Sequence, residues 1–347
     1  MGGEKTEMTT NDSMTGHRPE RVLVTGGGGF LGGAIVKRLV RRGDHVRSLS
    51  RKFYPELEAA GVEQIQGDIA DIAIVAQACE KTDIVFHVAA KPPPWGKYKA
   101  YYQTNVIGTE NVIEGCKRRK VTRLVYTSTP SVVFDGTDME GADESLPYPA
   151  GHSAYYPKTK TLAEQLVVKA AGQGLSTVVL RPHQIWGPGD PHFVPRLIAR
   201  AKKLKQIGDG KNLVDTTYID NAADAHLLAA DRLAKNPAIS GNTYFISQDE
   251  PIPAWDMINA ILNAAGLEPV NGVISYRAAR TIGAVLEFAY RFLGISKEPL
   301  MTRFLADAVA KSHWFDISAA KRDLGYLPEI NTAEGLRRLE KWLKNSA

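Results

Sequence analysis

The stretch Arg21-Val22-Leu23-Val24-Thr25-Gly26-Gly27-Gly28-Gly29-Phe30-Leu31-Gly32-Gly33, running on into Ala34-Ile35-Val36-Lys37-Arg38-Leu39-Val40, constrains this chain most. A short apolar run enters a glycine turn, and an amphipathic helical pattern leaves it. Glycines let a backbone approach a pyrophosphate closely, and a helix N-terminus offers it free amides and a positive dipole end. Two spacings fit, Gly27/Gly29/Gly32 and Gly26/Gly29/Gly32. Strand, turn and helix in this order predict a dinucleotide site rather than a plain tight turn.

Strand and helix patterns alternate through the first half, as in an α/β, doubly wound parallel sheet of Rossmann type. Strands are expected at Val22–Thr25, His45–Ser50, Val62–Gly67, Ile84–Ala90, Leu124–Ser128 and Thr177–Pro182. Helices are expected at Gly32–Arg42, Asp71–Glu80, Tyr101–Arg119, Tyr155–Ala171, Val194–Lys203 and Ala222–Ala234. After Trp186 the alternation loosens and prolines punctuate shorter elements, which predicts a smaller, discontinuous C-terminal substrate lobe over the mouth of the sheet. The expected division is a leader over 1–19, a dinucleotide-binding domain over 20–185, and a lobe over 186–347 from which 214–247 returns to the core. Ligands in such sheets bind at the carboxyl ends of the strands, so the connecting loops there should carry the chemistry.

Tyr156 and Lys160 stand four apart in Tyr155-Tyr156-Pro157-Lys158-Thr159-Lys160 and so share a helix face. A free phenol is almost wholly protonated at neutral pH, and a nearby ammonium favours its anion, which makes it a usable proton donor and acceptor. Tyr155 has Thr159 at the fourth place instead. Upstream, Thr127, Ser128 and Thr129 each offer a hydroxyl that would sit at a strand end near Tyr156.

The second strand ends in Ser50-Arg51-Lys52, where an acid would hold a ribose 2′-hydroxyl; the cations would attract a 2′-phosphate. NADP(H) is therefore expected in preference to NAD(H). Asp68, in Gly67-Asp68-Ile69, is placed to accept from an adenine amino group or to cap the next helix.

Composition narrows the partners. With 44% hydrophobic and 23% charged residues, the 347-residue chain reads as an ordinary globular protein. A net charge of +5 is mild and scattered, and Lys117-Arg118-Arg119-Lys120 reads as a solvated helix end, so no nucleic acid is expected. Two cysteines, Cys79 and Cys116, lack metal or redox spacing, which points to a reducing, cytoplasmic setting without a metal or a disulfide framework. Met1 to Pro19 is polar and lacks the apolar segment of a signal peptide, so it reads as a disordered leader. No run reaches the roughly 18 apolar residues needed to span a bilayer. The nearest, Ile282 to Gly294, is interrupted by Glu287 and Arg291 and is expected as a core or pocket helix before a membrane-surface one.

Together, Thr25 to Gly32, Asp68, Asn105-Val106-Ile107-Gly108-Thr109 and Tyr156-x-x-x-Lys160 resemble the extended short-chain dehydrogenase/reductases. Leu180-Arg181-Pro182-x-x-Ile185-Trp186-Gly187-Pro188-Gly189 and Val214-Asp215-Thr216-Thr217-Tyr218-Ile219-Asp220-Asn221 are similar to its 3β-hydroxysteroid dehydrogenase-like branch. Two subfamilies are resembled most: bacterial 2-alkyl-3-oxoalkanoate reductases, at Thr127 to Val132 and Thr216 to Ala223, and sterol-4α-carboxylate 3-dehydrogenases, at Val133 to Gly136 and Gly210 to Asp215. The resemblance implies a catalytic set of Tyr156, Lys160 and Thr129, with Ser128 as the near alternative. It implies dinucleotide contacts at Gly26, Gly29, Phe30, Leu31, Gly32, Ser50, Arg51, Lys52, Asp68, Ile69, Ala89, Ala90, Lys91, Asn105, Tyr156, Lys160 and Pro182. Asn105 would be a structural and proton-relay helper.

The implied substrates share a C3 ketone or alcohol on a large hydrocarbon, with a carboxylate on the neighbouring carbon. An apolar pocket with one cation is then expected: Lys91, His183, Arg196 or Lys211, with Trp95, Tyr98, Trp186, Phe193 and Trp255 for its apolar part. The expected partners are a small hydrophobic substrate and a second copy in a homodimer, with any membrane contact peripheral. A nucleotide-sugar epimerase or dehydratase, and a dinucleotide sensor without catalysis, are the alternatives.

Overall fold

The computed structural model describes residues 18–92 and 95–346, so the leader reading for 1–19 lies almost wholly outside the described residues. Val22 and Val24 turn to one apolar layer, with Ile35 and Ala222; Leu23 turns to the other, with Val75, Cys116 and Ala163. A strand buried on both faces needs helices on both faces, which is the condition for a parallel sheet.

Seven strands meet that condition: β1 (Arg21–Thr25), β2 (His45–Ser50), β3 (Glu63–Gln66), β4 (Ile84–His87), β5 (Arg123–Thr127), β6 (Ser176–Pro182) and β7 (Thr243–Ile246). Their order is β7-β6-β5-β4-β1-β2-β3, with every neighbouring pair parallel. The order reverses direction at β1, between β4 and β2, and a crevice opens there beyond the carboxyl ends. The first six strands fall where the pattern predicts. The edge strand β7 is an addition, within the 214–247 segment expected to return to the core.

The helix Phe30–Arg41 packs beside Ile219–Lys235 on one face; Ile72–Ala78, Gly108–Arg119 and Tyr155–Ala170 cover the other. The long helix expected over 101–119 carries a π-helical turn, Tyr102–Ile107, that holds Asn105. Short strands beyond Trp186 form small sheets, of which one joins 139–142, 213–214, 252–253 and 313–315.

The apolar run at 282–294 is neither a core nor a pocket helix. It lies in Tyr276–Phe292, a surface helix whose Val285, Phe288 and Phe292 are 61%, 72% and 80% exposed. Its inward face is the small and polar one. A β-carbon at Gly283 would lie 2.6 Å from the Thr302 carbonyl carbon, and Glu287 accepts from the Arg303 amide at 2.7 Å. Among the described residues no helix is long and apolar enough to cross a membrane.

Candidate active site

The glycine loop follows from close approach. Gly26 adopts φ +72° and its carbonyl accepts from the Gly29 amide at 2.8 Å. A β-carbon at Gly32 would stand 2.1 Å from that same carbonyl oxygen. Gly26 and Gly32 therefore meet across the turn, and Gly27 is closed in as well, where a β-carbon would stand 2.5 Å from Ser48 Oγ. The helix that starts at Phe30 has no side-chain cap and no acidic residue in its first turn, so its first amides remain open to an anion. Tyr54 closes the other side; a β-carbon at Gly28 would collide with its ring at 2.1 Å.

One cavity of about 1770 Å³ runs from this loop across the strand ends to the C-terminal helices. That exceeds the roughly 300–1,000 Å³ of a site for one small molecule, leaving room for two ligands end to end. Phe30, Leu31, Ser50, Arg51, Lys52, Asp68, Ile69, Ala89, Ala90 and Pro182 all line it. Arg51 and Lys52 are exposed, and Ser50 Oγ accepts from the Gly28 amide at 3.4 Å. Asp68 Oδ1 accepts from the Ala70 amide at 2.9 Å, while the next helix is capped by Asp71.

Asn105 is not a cavity-lining residue and is not solvated either; it is 2% exposed. Its Oδ1 accepts from the Lys91 amide at 2.7 Å and its Nδ2 donates to Thr159 Oγ1 at 3.0 Å. It ties the loop after β4 to the helix of Tyr156. The Lys91 side chain points away from the cavity, its ammonium 5.2 Å from the Tyr101 ring centre.

The three hydroxyls after β5 have three destinations. His226 donates from Nδ1 to the Ala222 carbonyl at 2.7 Å, so its Nε2 accepts from Thr127 at 2.8 Å. Ser128 donates to Glu164 and is not free for a substrate oxygen, which corrects its expected role. Thr129 faces the Tyr156 hydroxyl and lies 3.1 Å from Ser131 Oγ. Ser131, also in the cavity wall, is a polar neighbour that the sequence did not single out.

Lys160 is 2% exposed and donates to Tyr126 Oη and to the Thr127 carbonyl, both at 2.7 Å. Burial pulls its ammonium down to about 7, and Glu164 works against that fall. Tyr156 goes opposite to expectation. Burial pushes its phenol up to about 12, with the Thr129 hydroxyl the opposing influence. The ammonium of Lys160 is engaged by β5, and burial keeps the phenol protonated.

At the far end the wall is apolar, with Phe134, Met139, Phe193, Phe304, Leu305 and Phe315. Of the expected aromatics only Phe193 lies there; Trp186 and Trp255 are core residues at 0% and 4% exposure, and Trp95 donates to the Ile295 carbonyl. Tyr98 packs edge-on to Tyr155. Of the expected cations, His183 and Arg196 line the cavity and Lys211 does not.

His183 has a partner in His313. Asp215 Oδ1, His183 Nδ1, His183 Nε2, His313 Nδ1, His313 Nε2 and the Ala308 carbonyl form a chain of three contacts, at 2.7, 3.1 and 2.5 Å. Each contact needs one proton. Burial holds His313 neutral, at about 4, so its single proton goes to Ala308 and its Nδ1 accepts from His183 Nε2.

Residues 23–275 match the sequence pattern of the 3-beta hydroxysteroid dehydrogenase/isomerase family. The chain belongs to that family. It is an oxidoreductase, and membership implies a nicotinamide dinucleotide. It is 49% identical to a 2-alkyl-3-oxoalkanoate reductase of Stenotrophomonas maltophilia, over 92% of this chain and 98% of that one. A sterol-4-alpha-carboxylate 3-dehydrogenase, decarboxylating, of Mus musculus is 34% identical over 92% and 90%. A UDP-glucuronic acid 4-epimerase of Bacillus cereus, solved in complex with NAD, shares the fold at TM-score 0.72 and 24% identity, covering 94% of this chain and 99% of that one.

Proposed function

We propose that this protein reduces the C3 ketone of a 2-alkyl-3-oxoalkanoate to the secondary alcohol, with NADPH as the preferred hydride donor. The observation that carries this is the cavity itself: an open helix N-terminus at one end, an apolar wall at the other, and Tyr156, Thr129 and Lys160 between them. The 49% identity to a reductase of that name supports the substrate class.

When bound, the dinucleotide would supply the hydride. The protein supplies the proton and the orientation. Tyr156, a phenol held protonated by burial, gives its proton to the ketone oxygen, and the Thr129 hydroxyl bonds the same oxygen. Lys160 holds the Thr127 carbonyl and so the turn that carries Thr129. Asn105 braces the active-site helix from behind. Exposed Arg51 and Lys52, without an acid at the end of β2, support the NADP(H) preference. His183 and Arg196 are the wall residues available to a substrate carboxylate; Arg196 also faces Glu298, at 3.7 Å. In this reading 20–185 binds the dinucleotide and 186–347 forms most of the substrate lobe, with 214–247 back in the core. The exposed row Val285, Phe288 and Phe292 supports peripheral contact with a membrane surface, and a homodimer remains the expected assembly.

The test is a panel of 2-alkyl-3-oxo acids of rising chain length against a 3-oxo steroid carboxylate, each with NADPH and NADH. Each methylene buried contributes about 0.8 kcal/mol, so KM should fall about four-fold per carbon. A flat response sinks the apolar-wall reading, and turnover of the steroid alone moves the assignment to the sterol branch.

A further inference from the structure

Glu164 follows Lys160 by one helical turn and Tyr156 by two, so the three lie along one face of Tyr155–Ala170. Glu164 is 0% exposed and Arg181, on β6, is 3% exposed. The pair is bonded at 2.5 Å between Oε1 and Nη2, with further contacts from Nε at 3.2 and 3.3 Å. Tyr148 donates to Oε1 at 2.8 Å, and Ser128 donates to Oε2. A buried ion pair is a poor source of stability, since apolar residues of like volume do as well or better. What it touches is the catalytic turn.

We infer that Glu164, anchored by Arg181, is a positioning residue for the reaction of Tyr156, acting through Ser128 on Thr129 and through its charge on Lys160. The inference rests on the proposed catalytic roles of Tyr156, Thr129 and Lys160. Three successive residues show the geometry. The Thr127 carbonyl is held by Lys160; Ser128 is held twice, by its amide to the Leu180 carbonyl at 2.6 Å and by its hydroxyl to Glu164; Thr129 is left to face Tyr156. Glu164 therefore fixes the residue on which Thr129 pivots.

The charge acts in parallel. Groups facing Lys160 come from each element packed on it: His87 from β4, Tyr126 from β5, Tyr156 and Glu164 from its own helix, with Arg181 and Tyr148 reached through Glu164. His87 is neutral, driven to about 3 by burial and by Lys160 itself, and burial keeps Tyr126 a neutral phenol. Of these groups Glu164 is the carboxyl, and it favours the ammonium of Lys160 against burial.

Two substitutions separate the roles. Ser128→Ala removes the hydroxyl link and leaves both charges; kcat for the ketone should fall about ten-fold, with KM for the dinucleotide and the pH profile in place. Glu164→Gln keeps an acceptor for Ser128 and removes the charge. The titration midpoint of Lys160 should drop by about one pH unit, read by NMR of labelled lysine side-chain nitrogens and assigned with Lys160→Met. The alkaline limb of kcat should move down with it. Because Gln leaves Arg181 unpaired, Glu164→Gln/Arg181→Met is the second measurement, and it should shift the midpoint in the same direction. Unchanged kcat in Ser128→Ala overturns the link to Thr129, and an unchanged midpoint in either charge variant overturns the action on Lys160. A loss of melting temperature with both readouts unmoved makes Glu164 a structural residue only. The NMR titration needs no turnover, so an inactive wild-type protein counts against the proposed function, while an unmoved midpoint counts against this inference.

Discussion

Tyr156→Phe removes one hydroxyl and leaves the ring, which makes it the sharpest probe of the site. A positioned acid contributes about 10²–10⁴-fold, which at about 1.36 kcal/mol per decade is about 2.7–5.4 kcal/mol of barrier. Two features of the structure place the expectation inside that range. Burial keeps the phenol near 12, so across the working pH range all of it is in the donating form and its whole contribution is lost. The Thr129 hydroxyl stays beside the substrate oxygen and preserves some polarisation, which argues against the upper bound. A drop of about 10³-fold in kcat follows, with the dinucleotide still bound because the Tyr156 ring and the glycine loop both stay. Rapid-mixing absorbance of the reduced dinucleotide reads the first quantity and tryptophan fluorescence the second. The control is Tyr155→Phe. Tyr155 packs through its ring, 5.4 Å from Tyr98 and 5.5 Å from the Arg291 guanidinium, and should retain activity. A dead Tyr155 variant, or a Tyr156 variant with more than about a tenth of wild-type kcat, would refute the acid role.

Arg51→Asp should move the cofactor preference toward NADH by about ten-fold or more, since a charge-assisted contact is worth about 1.5–3 kcal/mol; isothermal titration with both dinucleotides reads it. Gly32→Ala should abolish dinucleotide binding in a folded protein, because the new methyl meets the Gly26 carbonyl at 2.1 Å, whereas Gly151→Ala, where a β-carbon meets nothing, should bind normally. Lys160→Met should inactivate and yet raise the melting temperature by a few degrees at pH 6–7 (about 2–4 °C per kcal/mol for a chain of this order). The sign follows from the folded value of about 7 against the ordinary lysine value of 10.5. Below about 7 the folded state must carry a buried ammonium at full penalty, and the penalty is relieved between about 7 and 10.5, so the gain should shrink as pH rises through that window. Calorimetric scans showing a lower melting temperature at pH 6 would refute the burial penalty.

The glycine loop and the Tyr156/Lys160 register were legible because both are local. A turn that must bring Gly32 against the Gly26 carbonyl admits only glycine, and a helix puts residues four apart on one face whatever surrounds it. The helix at 282–294 was misread for the opposite reason: an apolar face records what a segment is able to bury, and the partner it met wanted Gly283 and Glu287 instead.

From the sequence by itself came the parallel sheet, the shape of the glycine loop, the shared helix face of Tyr156 and Lys160, and the family resemblance, since each is carried by patterns local to short segments. Tertiary structure alone decided which of Thr127, Ser128 and Thr129 faces Tyr156. His226 and Glu164, which claim the other two, lie 99 and 36 residues away in the chain. It also decided the direction of the Tyr156 shift, and it paired His183 with His313 across 130 residues. Burial and hydrogen-bond partners are properties of packing between distant segments, and a local pattern does not carry them.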